Sequence, residues 1–362
     1  MRKISAEIIA DSTIHGHRLI TYMLTYPRFI HAELMTHRVF SRNSASSRAI
    51  PFEKMIKSVG EDPFIPIAWQ KDHKGMQGAQ YITSPQGIEH CNNLWEVAAE
   101  QAVKSAKMIR IMDGEIEYPG TIEEVFSDFE DEDEILITKQ LCNRLLEPFL
   151  WHTVIVTSTE FSNFFELRCP KYIQHTINKV NTFYSKKDYE NKYGKQDISE
   201  LDWIKSSQSG AEIHIQALAE AMWNAKNEST PKELKEGEWH IPFGDKISGD
   251  VTKWFSTIED QAYWLGKDMT KLFLKVAVAR CARLSYMTFD GEIDYKKDIQ
   301  LHDTLLASKH ASPFEHVSRG LTEEEYNTLG KMILDPVKGY VFEKGWADNF
   351  RGFISYRRIL NF

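Results

Sequence analysis

The apolar positions of this chain change period several times, and each change marks an element. Ile4 to Ala10 reads as a short strand, with Asp11-Ser12-Thr13 and Gly16 as a turn. Arg18 to Tyr26, rich in Ile, Tyr, Leu and Thr, reads as a second strand stopped by Pro27. Phe29, Ile30, Leu34 and Met35 then follow a helical spacing. That helix is predicted to end near His37 and Arg38, where cations suit the negative end of the macrodipole. Pro51 opens another helix, with Phe52, Met55, Ile56 and Val59 on one face and Gly60 as its C′ residue. Between these helices, Thr36 to Ile50 has no apolar period, and a loop slung between the two is predicted.

Residues 60–90 carry Pro63, Pro66, Gly75, Gly78, Pro85 and Gly87 and read as an irregular excursion. Residues 88–110 are helical in pattern, with Leu94, Val97, Ala98, Ala102 and Met108 near helical spacing. The run Glu130 to Glu134 reads as a solvated helix start. A helix through Leu136, Leu141, Leu145 and Leu146 ends at Pro148 and carries Arg144. Leu150 to Thr157 has the pattern of a buried strand, and Ser158 or Thr159 can cap a helix from Glu160 to Arg168. Asn163 and Arg168 stand inside that aromatic helix and need partners if buried, either in a site or in a structural ion pair or cap. Residues 170–210 look like an insertion, followed by a helix from Ala211 to Ala225 and a Pro/Gly-rich connection over 227–250. A helix over 258–280 runs on to Tyr286, and Asp298 begins another that leads into His310 to His316. The tail from Thr322 reads as two helices. No internal repeat and no phosphate-binding glycine loop after a strand is present.

A length of 362 residues admits one elaborated domain or two, and the reading adopted is one catalytic domain over 1–362. A net charge of −8 argues against a general nucleic-acid or membrane-surface binder. An anionic ligand must then be held by a local cluster, and Thr36 to Ile50 supplies one. It packs three arginines, a histidine, an asparagine and four serines into fifteen positions. Guanidinium forks, hydroxyls and free N–H groups are what a phosphate requires, although a solvated Ser/Arg loop has the same composition. Cys91, Cys142, Cys169 and Cys281 lie far apart without a CxxC, which fits reduced thiols and a cytoplasmic protein. No apolar run approaches ~18 residues, and the start has no signal-peptide core, so no membrane association is expected. His15 and His17 form an HxH in a turn, a metal pair or an ordinary surface pair; no metal is expected.

Four blocks resemble the flavin-dependent thymidylate synthases, the ThyX type. His37-Arg38, with Ser46 and Arg48 downstream, is similar to the family's Arg-His-Arg signature and its serine. Arg144-Leu145-Leu146-Glu147-Pro148 resembles its arginine-to-proline segment, and Asn163-Phe164-Phe165-Glu166-Leu167-Arg168 its Asn-Phe-Leu-x-Leu-Arg block. The fourth block is in two pieces, Ala282 to Tyr286 and His310-Ala311-Ser312-Pro313-Phe314-Glu315-His316, similar to the segments that normally open the family's chain. Here they stand near the other end, as in a circular permutant, a rearrangement that close, exposed termini tolerate. Thr36 replaces the signature's first arginine, Ser44 stands where the family usually has a glutamate, and Ala211 to Gln216 matches the family's next helix only loosely. Residues 60–90, 170–210 and 320–348 have no counterpart and read as insertions.

The resemblance implies an α/β fold of the α+β type, an antiparallel sheet with packed helices. It implies a homotetramer with sites at subunit interfaces, FAD as cofactor, and NADPH and methylenetetrahydrofolate as co-substrates. The substrate it implies is a dUMP-like pyrimidine nucleotide, converted to dTMP. Arg168 would be the catalytic residue, stabilising charge on the ring. The nucleotide would be held by Glu33, Ser44, Ser46, Ser47, Arg48, Arg144 and Arg168. The flavin would be held by His37, Arg38, Asn163, Ser285, His310, Ser312 and Glu315. No cysteine lies in a block implied to touch the substrate, which disfavours a cysteine nucleophile. Two alternatives stay open: a sister enzyme that makes 5-hydroxymethyl-dUMP, kept open by Thr36 and Ser44, and a non-catalytic nucleotide-binding module of the same fold.

Overall fold

A computed structural model describes residues 2–74, 80–110, 137–176, 179–254, 268–286 and 294–362, with the backbone alone at 251–254, 285 and 286. Its centre is a five-stranded sheet in the order β3-β4-β2-β1-β7, formed by β1 (Ser5–Ile14), β2 (His17–Pro27), β3 (Ser41–Ser44), β4 (Trp151–Ser158) and β7 (Lys232–Glu233). The neighbours pair antiparallel except β1 with β7. The chain is thus an α+β fold. β1 runs on through Asp11-Ser12-Thr13, which sequence reading placed in a turn. The turn is His15-Gly16, both with positive φ (52° and 75°), the two-residue geometry that matches strand twist.

Both faces of the sheet are covered, so the inner strands are apolar on both sides. Tyr22, Leu24, Val154 and Val156 face a layer formed by α1 (His31–Met35), α5 (Ser162–Arg168) and α8 (Ile213–Glu228). Ile155 and Ile9 face the opposite layer, α9 (Gly244–Trp254), α10 (Met269–Tyr286) and α11 (Tyr295–Ala307). This is why Val154, Ile155 and Val156 of β4 are apolar in succession instead of alternating. A third cluster joins α2 (Phe52–Glu61), α3 (Pro85–Arg110), α4 (Lys139–Cys142) and the 3-10 segment Asn143–Phe149.

Through the sheet runs a closed line of polar groups. Ser12 Oγ lies 2.9 Å from His240 Nδ1, and His240 Nε2 lies 2.8 Å from Thr21 Oγ1. Thr21 Oγ1 meets Thr157 Oγ1 at 2.8 Å, and Thr157 Oγ1 meets His316 Nδ1 at 2.8 Å. All five residues are buried. Burial holds both histidines down to about 3. They are neutral polar struts.

Several sequence expectations are corrected. Gly60 lies inside α2, whose C-cap is Asp62. Helix α5 is capped by Phe161 without a side-chain bond, and Ser158 Oγ instead accepts from the Glu160 N–H at 2.9 Å. The 170–210 stretch forms a hairpin, β5 (Tyr172–Thr176) and β6 (Lys179–Phe183), then α6 (Lys186–Tyr193) and α7 (Glu200–Lys205). Within 227–250, β8 (Trp239–His240) pairs with β9 (Ser318–Gly320). The tail is not two helices. After α12 (Glu323–Thr328) come β10 (Gly330–Asp335), β11 (Gly339–Lys344), β12 (Trp346–Ala347), β13 (Phe350–Arg351) and β14 (Phe353–Ser355), and only then the short α13 (Tyr356–Ile359). Met332-Ile333-Leu334 and Tyr340-Val341-Phe342 are two short contiguous apolar runs parted by Pro336 and Gly339, the punctuation of a hairpin, and only in the paired strands does their exposure alternate. The acidic run Glu130–Glu134 lies outside the described residues. Among the described residues no helix is long and apolar enough to cross a membrane.

Candidate functional site

The Thr36–Ile50 segment is not only a loop. Its middle, β3, is an edge strand on β4, with Ser41 opposite Thr157 and Ser44 opposite Val154. Successive side chains therefore leave on opposite faces. Arg42 turns toward α1, and its Nη1 donates to the Met35 carbonyl at 2.8 Å, satisfying an end of that short helix. Asn43 turns toward α10, and its Nδ2 donates to the Cys281 carbonyl at 2.8 Å. On that side the His310–His316 block arrives. Ser312 Oγ donates to the Arg42 carbonyl at 2.9 Å and comes within 3.5 Å of Asn43 Oδ1. A cleft of about 410 Å³ opens there, lined by Asn43, Ala282, Leu305, His310, Ser312 and Pro313 among others. Blocks 270 positions apart thus meet within one chain.

On the other face, α5 ends at Arg168, beside the end of α1. Its Nε donates to His37 Nε2 at 3.3 Å, and its Nη2 to Thr36 Oγ1 at 3.4 Å. Its Nη1 stands 3.9 Å from a Glu33 carboxylate oxygen. His37 is buried, and burial, with the charges of Arg168 and Arg42, lowers it to about 4. It is neutral at pH 7 and can accept from the guanidinium. Burial, reinforced by Glu212, raises the Glu33 carboxyl above its usual range.

The third group lies where the loop meets 139–149. Buried Asn143 donates from Nδ2 to the carbonyls of Ser47 (2.7 Å) and Ile50 (3.0 Å). Ser47 Oγ donates to Glu147 at 2.5 Å. Arg48 Nε donates to Gln140 Oε1 at 3.1 Å, and its N–H leans on Ser46 Oγ at 3.3 Å. Arg144 comes from the same segment that grips this turn, and it is exposed with no partner among the described residues. Exposed Ser46, Arg48 and Arg144 thus belong to two segments locked together. That arrangement suits an anion with several oxygens.

The remaining candidates fall into place unequally. Ser44 is half-buried on the same face of β3 as Arg42. Arg38, Asn163 and His310 are exposed, so Asn163 needs no buried partner. Glu315 is taken up by an ion pair with Arg357. Ser285 lies on α10, its side chain outside the described residues. His15 bonds the Leu321 carbonyl and His17 the Tyr326 hydroxyl, so the HxH pair is engaged in packing. Among the described residues no group of three or more His, Cys, Asp or Glu could hold a metal.

Sequence reasoning missed the residues that position the site. Asn143, Glu147 and Gln140 anchor the phosphate-like turn, and Asn43 and Arg42 orient the edge strand. Arg28 braces the loop from below, donating to the Ala45 carbonyl at 3.3 Å and to His152 Nε2 at 2.8 Å. Only Asn143 carried a signal, a polar residue in the helical pattern beside Arg144.

No protein-family model matches the chain. No curated protein matches it either. Among solved structures, the UMP/dUMP methylase PolB from Streptomyces cacaoi, bound with 5-Br UMP, aligns over 63% of this chain and 90% of its own, at 15% identity and a TM-score of 0.38. The same methylase bound with 5-Br dUMP aligns over 62% and 91%, at 13% identity and a TM-score of 0.38. A superposition this loose assigns no role to any residue of the present chain.

Proposed function

We propose that the chain is a flavin-dependent, folate-dependent enzyme of the thymidylate synthase type. It moves the methylene of methylenetetrahydrofolate to C5 of dUMP, and dUMP, methylenetetrahydrofolate, NADPH and a proton give dTMP, tetrahydrofolate and NADP⁺. The observation that carries this reading is the Ser312–Arg42 contact. It brings the His310–His316 block onto the edge strand of the His37–Arg48 signature.

The residues present fit part of an FAD. The cleft beside Asn43 combines apolar walls at Ala282, Leu305 and Pro313 with polar groups at Ser312 and His310. His310 and Ser312 line that cleft, Arg38 and Asn163 are exposed, and His37 and Glu315 are held by Arg168 and Arg357. When bound, FAD carries the reducing equivalents of NADPH. The protein's share is placement and charge. Ser46, Arg48 and Arg144, with the backbone N–H groups around Ser46 and Ser47, hold the phosphate of the nucleotide, while the buried Ser47 hydroxyl is spent on Glu147. Arg168, kept in place by neutral His37 and by Thr36, stabilises negative charge developing on the pyrimidine ring. Glu33 and Ser44 complete the nucleotide side. Three of the four thiols are unsuited to attack the ring: Cys142, Cys169 and Cys281 are buried, and burial raises all three above the ordinary thiol range.

Thr36 favours a second reading. It replaces the signature's first arginine and lies 3.4 Å from Arg168; water in place of the reduction would give 5-hydroxymethyl-dUMP from dUMP, methylenetetrahydrofolate and water, without net use of NADPH. Mass spectrometry of the product, with NADPH oxidation followed alongside, decides between the two. No FAD in the absorbance spectrum after purification and reconstitution would overturn the flavin reading.

A further inference from the structure

We propose that the β10–β11 hairpin is a self-association face, and that a second copy of this chain covers it. The hairpin lies outside all four blocks, so the proposal stands apart from the assigned chemistry. Cross-strand register places Met332 opposite Phe342 and Leu334 opposite Tyr340. With a period of two, these four side chains share one face. With Val337 at the tip, they are between 45% and 91% exposed.

The other face is occupied. Lys331 Nζ sits 3.1 Å above the Trp346 ring, and Glu343 pairs with Arg351 at 2.6 Å. The hairpin is therefore anchored from behind and bare in front. At its base a Cβ at Gly330 would lie 2.4 Å from Phe342 Cζ, so only glycine lets that ring cross the strand. The Asp335 carboxylate accepts from the N–H groups of Val337 and Lys338 at 2.8 Å, fixing the turn that presents Val337.

The bare face offers on the order of 600 Å² of apolar surface, counting ~150–200 Å² for each fully exposed large side chain. That is the upper end for the largest patch of a monomer, and two such faces bury on the order of 1,200 Å², the threshold of a specific interface. A two-fold contact needs one self-complementary patch, and an uncharged face is complementary to itself. Charge points the same way. The chain carries −8, but Gly330–Lys344 holds three lysines against Asp335 and Glu343. Two copies thus meet where their mutual repulsion is least. The net charge of the whole chain disfavours an anionic membrane as the occupant.

Light scattering across a micromolar dilution series tests this on the full chain. The unaltered protein should show a mass that falls twofold on dilution, and deuterium uptake at 330–344 should rise in step. The variant Leu334→Asp/Tyr340→Asp, with circular dichroism unchanged, should show half the mass of the unaltered protein at every concentration where that protein is associated. Because exchange is read on the unaltered chain, a variant that fails to fold leaves the test intact. A mass equal to one chain at all concentrations overturns the proposal. So does an oligomer whose 330–344 exchange is independent of concentration, or co-sedimentation of the hairpin with neutral lipid vesicles while the free protein stays monomeric.

Discussion

The site segment and the polar line through the sheet are made of the same residue types and behave oppositely. Ser12, Thr21, Thr157, His240 and His316 bond one another in series and are closed to solvent, with His316 Nε2 left over at the end of the line. Around Thr36–Ile50, Arg42 and Asn143 bond backbone carbonyls and Ser47 bonds Glu147, while Ser46, Arg38 and Arg144 are left exposed. Residue type does not separate structure from binding here. What separates them is whether each donor has been matched within the chain. The His310–His316 block shows both states: His310 is exposed, and His316 ends the buried line.

The largest expected effect falls on the open side. If Arg168 has the proposed role of stabilising charge on the ring, Arg168→Ala should lower turnover by about 100-fold or more. It should leave FAD bound. Product formation and an absorbance spectrum check both, and turnover within about threefold of the unaltered enzyme would make Arg168 a structural residue. On the closed side, Thr157→Val should cost about 2–3 kcal/mol in urea unfolding, because both His316 ring nitrogens then lack a partner. A loss below ~0.5 kcal/mol would mean that the line is dispensable, within the range of a neutral surface change.

The third effect is on pH. Burial is the main cause that holds His31 and His37 at about 4, His240 and His316 at about 3 and His152 at about 2 in the folded chain. The unfolded chain takes up these protons near 6.5. Below that pH the unfolded state binds more protons than the folded one, so stability falls as pH drops from 6.5 toward 4. One histidine contributes up to about 1.4 kcal/mol per pH unit in that window. Melting temperature against pH should show this slope, and His152→Gln should reduce it. The smallest effect on stability is that of Arg144→Ala, within about 0.5 kcal/mol of the unaltered chain. The same change should weaken dUMP about tenfold in calorimetry, by loss of a charge-assisted contact. Equal losses in stability and affinity would erase the contrast between the two regions.

Much of the fold was legible because burial imposes period. β2, β4 and α2 follow from their apolar spacing, whereas on α3 the expected Leu94 and Val97 are exposed and the packed face is Trp95, Ala99, Ala102, Val103 and Ala106. The helix ending at Arg168 and the block ending at His316 were visible because polar residues interrupt apolar runs. What escaped depended on partners distant in sequence. β3 is a four-residue strand, made a strand only by pairing with β4, and four residues carry no period. Asn143 and Glu147 read as ordinary helix positions until the Ser47 turn rests on them. The terminal hairpin was misread for another reason. Its apolar face is not buried in the described chain, so its apolar runs had no core to mark.

The bond from Ser312 to the Arg42 carbonyl bears on the order of events in folding. It spans 270 positions, so the outer edge of β3 must wait for almost the whole chain to emerge from the ribosome before it is matched. Contacts so far apart are formed late, after loop closure has been overcome, and slow the approach to the native state. A nascent chain that has already built the β1–β2 hairpin and β4 still presents an open strand edge at residues 41–44. During that interval the cleft beside Asn43 does not exist. Competence to bind there is therefore coupled to completion of the C-terminal third, and a chain cut before residue 312 would keep the signature and lack the site.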